Sequence, residues 1–315
     1  MYCLILKDGR NIMVYDVIII GAGPAGLTAG IYAKRAMMNT VLIEKVGIGG
    51  QIMKTHKIEN YPGYPQISGI ELMQKMEEHA KKFDVETTFS EVLEIKDRGD
   101  VKTIITSDNE IETRTVIIAT GTSPRRLGVP GEANFTGKGV STCATCDGFF
   151  FRGKDVALIG GGDSAIVEAI FLTKMVNKVY VIHRRDELRA EMINQKRAFD
   201  NPKIEFVWNS NVQSIEGNDM VQKITVKNKI TEEVTQLDVS GVFMYVGVDP
   251  NTGFINADKD NSGFLKTSPD LSTSIPGIFA AGDCRVTLLR QVATAVGDGA
   301  LAAVSAQRYI GTLSN

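Results

Sequence analysis

Apolar positions along the chain fall into short runs and alternating stretches. The runs at 15–20, 40–44, 115–118, 154–159, 178–182 and 278–281 are rich in Val, Ile and Ala and most are closed by glycine. Such runs predict strands covered on both faces, as in a parallel sheet. Helix-like stretches at 24–36 and from beyond Ala165 to about Lys174 each follow one of these runs across a glycine cluster, and each is followed by another run. Strand, glycine turn, helix and strand therefore occur twice, which predicts two βαβ units. Residues 86–95, 101–106, 204–215 and 221–226 alternate instead, as half-covered strands do. Linker-like stretches carrying Pro or Gly, 122–130 and 246–253, flank the second unit. The expected architecture is α/β with two Rossmann-like dinucleotide-binding domains in three layers. The second domain (124–251) interrupts the first (14–123 and 252–315), and residues 1–13 are set apart as an N-terminal extension.

Composition narrows this picture. The 315 residues are 43% hydrophobic and 23% charged, with 31 Gly, as in a globular chain with many tight turns. A net charge of −2 supplies no general field for nucleic acid or an acidic membrane face. No apolar run approaches a membrane span, and the first residues lack the pattern of a secretory leader. Four cysteines without an even scatter fit a reducing, cytoplasmic setting.

Gly21, Gly23 and Gly26 serve a tight turn, close approach to pyrophosphate, and helix-strand packing, with phosphate meeting the helix N-terminus. Glu44, at the end of the return strand, is placed to accept a hydrogen bond from a ribose hydroxyl. The bland alternative is a nucleotide fold that has lost its ligand. The second cluster, Gly160-Gly-Gly162-Asp163-Ser164-Ala165, is followed not by an acid but by His183-Arg184-Arg185 and Arg189. Guanidinium groups there suit a 2′-phosphate, which favours NADP(H) over a merely basic, solvated loop.

Cys143 and Cys146 stand three positions apart just ahead of the second cluster. Zinc would require about four ligands, and His56, His79, His183, Cys3 and Cys284 are scattered. A staple closing so short a loop constrains the unfolded chain little. A redox pair fits the spacing better, with Asp147 a proton donor or acceptor within reach or else a turn residue.

The run ending Ala119-Thr120-Gly121 and the run ending Gly282-Asp283, in that order after the first glycine turn, resemble the FAD-binding pattern of two-dinucleotide flavoproteins. That resemblance gives Asp283 the ribityl chain, and the stretch from Arg290 to Ala300 looks like a helix whose positive end faces the flavin. With GAGPAG, Gly49-Gly50-Gln51, Ile58-Glu-Asn60-Tyr-Pro-Gly63, CATCDG, GGGDSA and HRRDELRA, residues 14–312 resemble the low-molecular-weight, bacterial-type thioredoxin reductases.

The resemblance implies a homodimeric, NADPH-dependent thioredoxin-disulfide reductase. FAD would sit in the interrupted domain on Gly21, Gly23, Pro24, Ala25, Gly26, Glu44, Lys45, Gly50, Gln51, Asn60, Ala119, Thr120, Gly121, Gly282, Asp283, Arg290, Gln291, Val292 and Ala293. NADPH would sit in the inserted domain on Gly160, Gly162, Asp163, Ser164, Ala165, His183, Arg184, Arg185 and Arg189. Cys146 would face the flavin, Cys143 would attack the thioredoxin disulfide, and Asp147 would serve as acid-base. Dithiol and NADPH residues share one domain, so a rotation about hinges at 122–130 and 246–253 is expected.

Related reductases remain as rivals. The flavoprotein subunit of an alkyl hydroperoxide reductase carries extra N-terminal domains, for which about 13 residues leave no room. Ferredoxin-NADP reductases of this architecture lack the dithiol. A relative serving another dithiol partner, in a glutaredoxin-like or peroxiredoxin system, is closer, and a non-enzymatic redox sensor is the rival from another class.

Overall fold

Val17, Ile18, Ile19 and Ile20 are almost wholly buried, as a strand covered on both faces requires. They belong to the strand Asn11–Ile20 of a computed structural model that describes residues 3–5, 11–55 and 58–313, with side chains from Val14 onward. His56 and the side chain of Cys3 lie outside the described residues. The strand begins at Asn11 rather than after Met13, and Cys3–Ile5 pairs with its first residues antiparallel.

The chain divides into two units, residues 1–123 with 249–315, and residues 124–248. In the first unit Asn11–Ile20 lies between Thr40–Glu44 and Glu110–Ile118, parallel to both. Beyond Thr40–Glu44 comes Glu86–Phe89. The far edge of Glu110–Ile118 is shared, with antiparallel Lys102–Thr106 along its first half and parallel Ile278–Ala280 along its second. Side chains alternate between two cores. Val17, Ile19, Leu42 and Ile117 meet the helices Pro24–Arg35 and Val292–Leu313. Ile18, Ile20, Val41 and Ile118 meet Ile104, Ile255 and Leu265 on the other face. This period of two gives three layers.

The second unit repeats the scheme. Its parallel sheet runs Ile204–Val207, Lys178–Ile182, Asp155–Ile159, Gly241–Met244, Val140–Ser141. One face, through Val156, Leu158 and Phe243, packs on the helix Asp163–Leu172. The other, through Ala157, Ile159 and Val242, packs on an antiparallel sheet of Ser210–Gly217, Val221–Asn228 and Val234–Asp238.

Two alternating stretches read from sequence as continuous are each broken in two. Residues 86–95 divide at Ser90, whose hydroxyl donates to Asp108 and whose N–H bonds Glu44; the second half, Val92–Asp97, turns back antiparallel to Lys102–Thr106. Residues 204–215 divide at Asn209, whose φ of 53° takes the chain from the parallel sheet to the antiparallel one. The short strands Thr122–Pro124 and Val248–Pro250, where the chain passes between the units, pair with each other.

Candidate active site

The first glycine turn is built by close approach. A Cβ on Gly21 would lie 2.4 Å from the Ala119 carbonyl oxygen, and one on Gly26 would lie 1.8 Å from the Gly21 carbonyl oxygen. Between them a Cβ on Gly23 would meet nothing within 4 Å, so the N-cap of the Pro24–Arg35 helix opens outward. Glu44 Oε2 accepts from Ala22 N–H at 2.8 Å and Oε1 from Val46 N–H at 3.0 Å, which ties the return strand to the turn. Lys45 is paired with Glu91 at 2.6 Å. Gly50 has a φ of 65° and faces the Gly23 backbone, while Gln51 Nε2 donates to the Thr122 carbonyl.

Distant segments meet around this turn. Thr120 Oγ1 donates to the Asn251 carbonyl at 2.6 Å, and Asn251 Nδ2 returns a bond to the Thr120 carbonyl. Asn60 Nδ2 donates to Gln291 Oε1 at 3.2 Å, joining the 58–63 loop to the residues before Val292–Leu313. Burial holds the Asp283 carboxyl above its usual range, with Arg290 opposing and Asp298 adding to the rise. The Arg290 guanidinium lies 4.2 Å over the Phe264 ring, and its Nε is buried without a hydrogen-bond partner. Asp298 accepts from Gly282 N–H at 3.0 Å and from Arg285. This support of the Gly282-Asp283 turn was not assigned from sequence, where Asp298 reads as one polar residue of a helix.

In the second unit Gly160 repeats the tight approach, its would-be Cβ 2.6 Å from the Tyr245 carbonyl oxygen, and Gly162 stands open like Gly23. Asp163 Oδ1 accepts from Glu191 N–H at 2.7 Å and from Asn194, so it ties the next loop down. Ser164 is exposed at the open turn and Ala165 is buried behind it. His183 packs against Gly161, and its Nε2 is buried without a partner. Its imidazole is held below the usual range by burial first and then by Arg189. Arg184, Arg185 and Arg189 are exposed, and Arg189 N–H bonds the Gly161 carbonyl at 2.7 Å.

Cys143 and Cys146 form a disulfide, their Cα atoms 5.3 Å apart. Cys143 caps the single helical turn Ala144–Asp147, with its Sγ accepting from Cys146 N–H at 3.1 Å. Cys143 is buried and Cys146 exposed. Asp147 ends the turn, its N–H bonded to the Cys143 carbonyl. Not foreseen from sequence, the buried Glu168 and the partly buried Tyr245 reach the residues between the cysteines. Thr145 Oγ1 donates to Glu168 Oε2 at 3.3 Å, and Ala144 N–H donates to Tyr245 Oη at 3.0 Å.

Two dinucleotide turns, one tied to an acid and one beside three arginines, with a disulfide in the second unit, define a nucleotide-dependent disulfide oxidoreductase. The chain belongs to the pyridine nucleotide-disulphide oxidoreductase family, whose profile matches residues 15–299. It is 46% identical over 304 residues to the thioredoxin reductase of Bacillus subtilis (strain 168), covering 94% of this chain and 95% of the relative. The crystal structure of Lactococcus lactis thioredoxin reductase (FR conformation) matches with a TM-score of 0.93 at 48% identity, over 95% of this chain and 99% of that one. That of T. acidophilum thioredoxin reductase matches at 0.90 and 35% identity, with the same coverage.

Proposed function

We propose that the chain is an NADPH-dependent thioredoxin-disulfide reductase with FAD as its flavin, working as a homodimer in the cytoplasm. The observation that carries this reading is the Cys143–Cys146 disulfide on a helical turn, in the same unit as an arginine-flanked dinucleotide turn. Among the described residues no helix is long and apolar enough to cross a membrane.

The residues fit both cofactors. The open Gly23 turn receives pyrophosphate, Glu44 a ribose, Asp283 the ribityl hydroxyls, and the orphaned Arg290 Nε is a donor awaiting an acceptor. Pro24, Ala25, Gly50, Gln51, Asn60, Thr120, Gly121, Gln291, Val292 and Ala293 line the same ligand, with Lys45 at its adenosine end. Gly162 with Ser164, the orphaned His183 Nε2 and Arg184, Arg185 and Arg189 form a matching cradle for NADPH, the guanidiniums taking the 2′-phosphate. FAD held by these residues would supply the two-electron redox chemistry that couples hydride from NADPH to opening of the Cys143–Cys146 bond.

With two protons, the opened bond leaves two thiols. Cys143, as thiolate, attacks one sulfur of the thioredoxin disulfide and forms a mixed disulfide, while Asp147 supplies a proton to the thiolate expelled. Cys146, as thiolate, then attacks Cys143 Sγ, which re-forms the internal bond and releases reduced thioredoxin. The Cys146 N–H at 3.1 Å from Cys143 Sγ supports this order, because a donor there favours the ionised sulfur. The test is NADPH-dependent reduction of thioredoxin, abolished in Cys146→Ser. A variant Cys146→Ser that traps thioredoxin on Cys143 supports the assignment of the attacking sulfur, and trapping by Cys143→Ser instead reverses it.

A further inference from the structure

The two residues enclosed by the cysteines are both held from beneath. Ala144 is bound through its N–H by the Tyr245 phenol, and Thr145 through its hydroxyl by Glu168, a carboxyl only 6% exposed on the helix Asp163–Leu172. Among the described residues no cation pairs with Glu168. We propose that Glu168 is a positioning residue for the dithiol: acting through Thr145, and with Tyr245 beneath Ala144, it fixes the turn between the sulfurs and sets how readily the Cys143 thiol ionises. This rests on the reading that the Cys143–Cys146 bond opens during turnover.

A carboxyl so enclosed, without a cation, resists ionisation. Burial pushes it up to about 7, against the Thr145 hydrogen bond, which favours the charged form. Tyr245, which follows the strand Gly241–Met244, is the titratable group that feels Glu168, and it also feels Asp147 on the dithiol turn. The Tyr245 phenol is itself raised, by burial first and by Glu168 next, so charge on Glu168 is felt at the group that holds Ala144. Ionised, Glu168 places a negative charge behind the cysteine turn and disfavours a thiolate; protonated, it does not. The Cys143 thiol therefore titrates under a field that changes near neutral pH.

The experiment follows iodoacetamide alkylation of Cys143 by mass spectrometry in chemically reduced, flavin-loaded protein, from about pH 5 to about pH 9. Wild type is expected to show a broadened profile with an added inflection near the Glu168 ionisation. Glu168→Gln, which keeps an acceptor for Thr145, loses that inflection and is alkylated about threefold faster at pH 8, a shift of about half a pKa unit. Thr145→Val removes the donor that favours the charged form, so the inflection moves to higher pH. A Glu168→Gln profile superposable on wild type overturns the proposal. So does an inflection unmoved in Thr145→Val, which decides the matter if Glu168→Gln does not fold. Thioredoxin reduction is assayed separately: absent turnover in wild type with the expected alkylation shifts removes the proposed function and leaves the role of Glu168 standing.

Discussion

Asp298 binds Arg285 with both carboxylate oxygens, at 2.7 Å to Nε and 3.0 Å to Nη2. The pair is largely shielded, and the same carboxylate accepts from Gly282 N–H, one residue before Asp283. Replacing Asp298 by Ala strands the guanidinium and frees the turn. A loss of about 2–4 kcal/mol is expected, somewhat below that of a fully buried pair broken on one side because this pair keeps some exposure. Thermal unfolding and the flavin-to-protein absorbance ratio check this: both fall in Asp298→Ala, and Asp298→Glu restores neither fully.

The three glycines of the first turn separate packing from ligand approach. A Cβ at position 26 collides with the Gly21 backbone, so Gly26→Ala destabilises the first unit by at least about 2 kcal/mol. A Cβ at position 23 meets no protein atom. Gly23→Ala therefore folds within about 1 kcal/mol of wild type yet binds FAD about tenfold more weakly, by blocking the pyrophosphate. Reconstitution titrations with FAD on both variants measure the contrast.

Arg184 and Arg185 project into solvent beside the second turn. Removing either raises the KM for NADPH about tenfold, the scale of one lost charge-assisted hydrogen bond of roughly 1.5 kcal/mol. The KM for NADH stays within about twofold. Steady-state kinetics with both nucleotides test this, and equal effects remove the arginines from phosphate recognition.

Glu168 also leaves a mark on stability. Its folded value of about 7 lies above the ordinary 4.5, so the native state keeps a proton that the unfolded chain releases. Its stabilising contribution is complete below the unfolded value and is lost as pH rises through the folded one. Over that window wild type loses up to about 3 kcal/mol relative to Glu168→Gln. Urea unfolding at about pH 4.5 and about pH 8 should bring the two proteins together at the acid end and place the variant above wild type at the other.

The twofold strand, glycine turn and helix scheme was legible because both-face burial leaves uninterrupted apolar runs and close backbone approach demands glycine at fixed offsets. The breaks at Ser90 and Asn209 were not, since a strand that leaves one sheet for another keeps its alternation across the break. The helix at the C-terminal end extends from Val292 to Leu313, well past the stretch through Ala300 read from sequence, because its later turns carry no fixed cofactor pattern. Glu168 and Tyr245 were hidden for another reason. They lie 23 and 101 positions from their partners in the dithiol turn, and no local spacing encodes such a contact. Asp298 was visible as a letter, but its work depends on the turn at Gly282 lying beside its helix.

The strand Ile278–Ala280 and the helix Val292–Leu313 complete the first unit, yet both are made after the whole of residues 124–248. On the ribosome the inner unit thus has every sheet partner in hand while the outer sheet still waits for its last strand and covering helix. Maturation then runs from the middle of the gene product outward, against the usual N-terminal-first order. A nascent chain stalled with residues up to about 260 already outside the ribosome would carry a protease-resistant inner core and an unfinished outer sheet in need of protection.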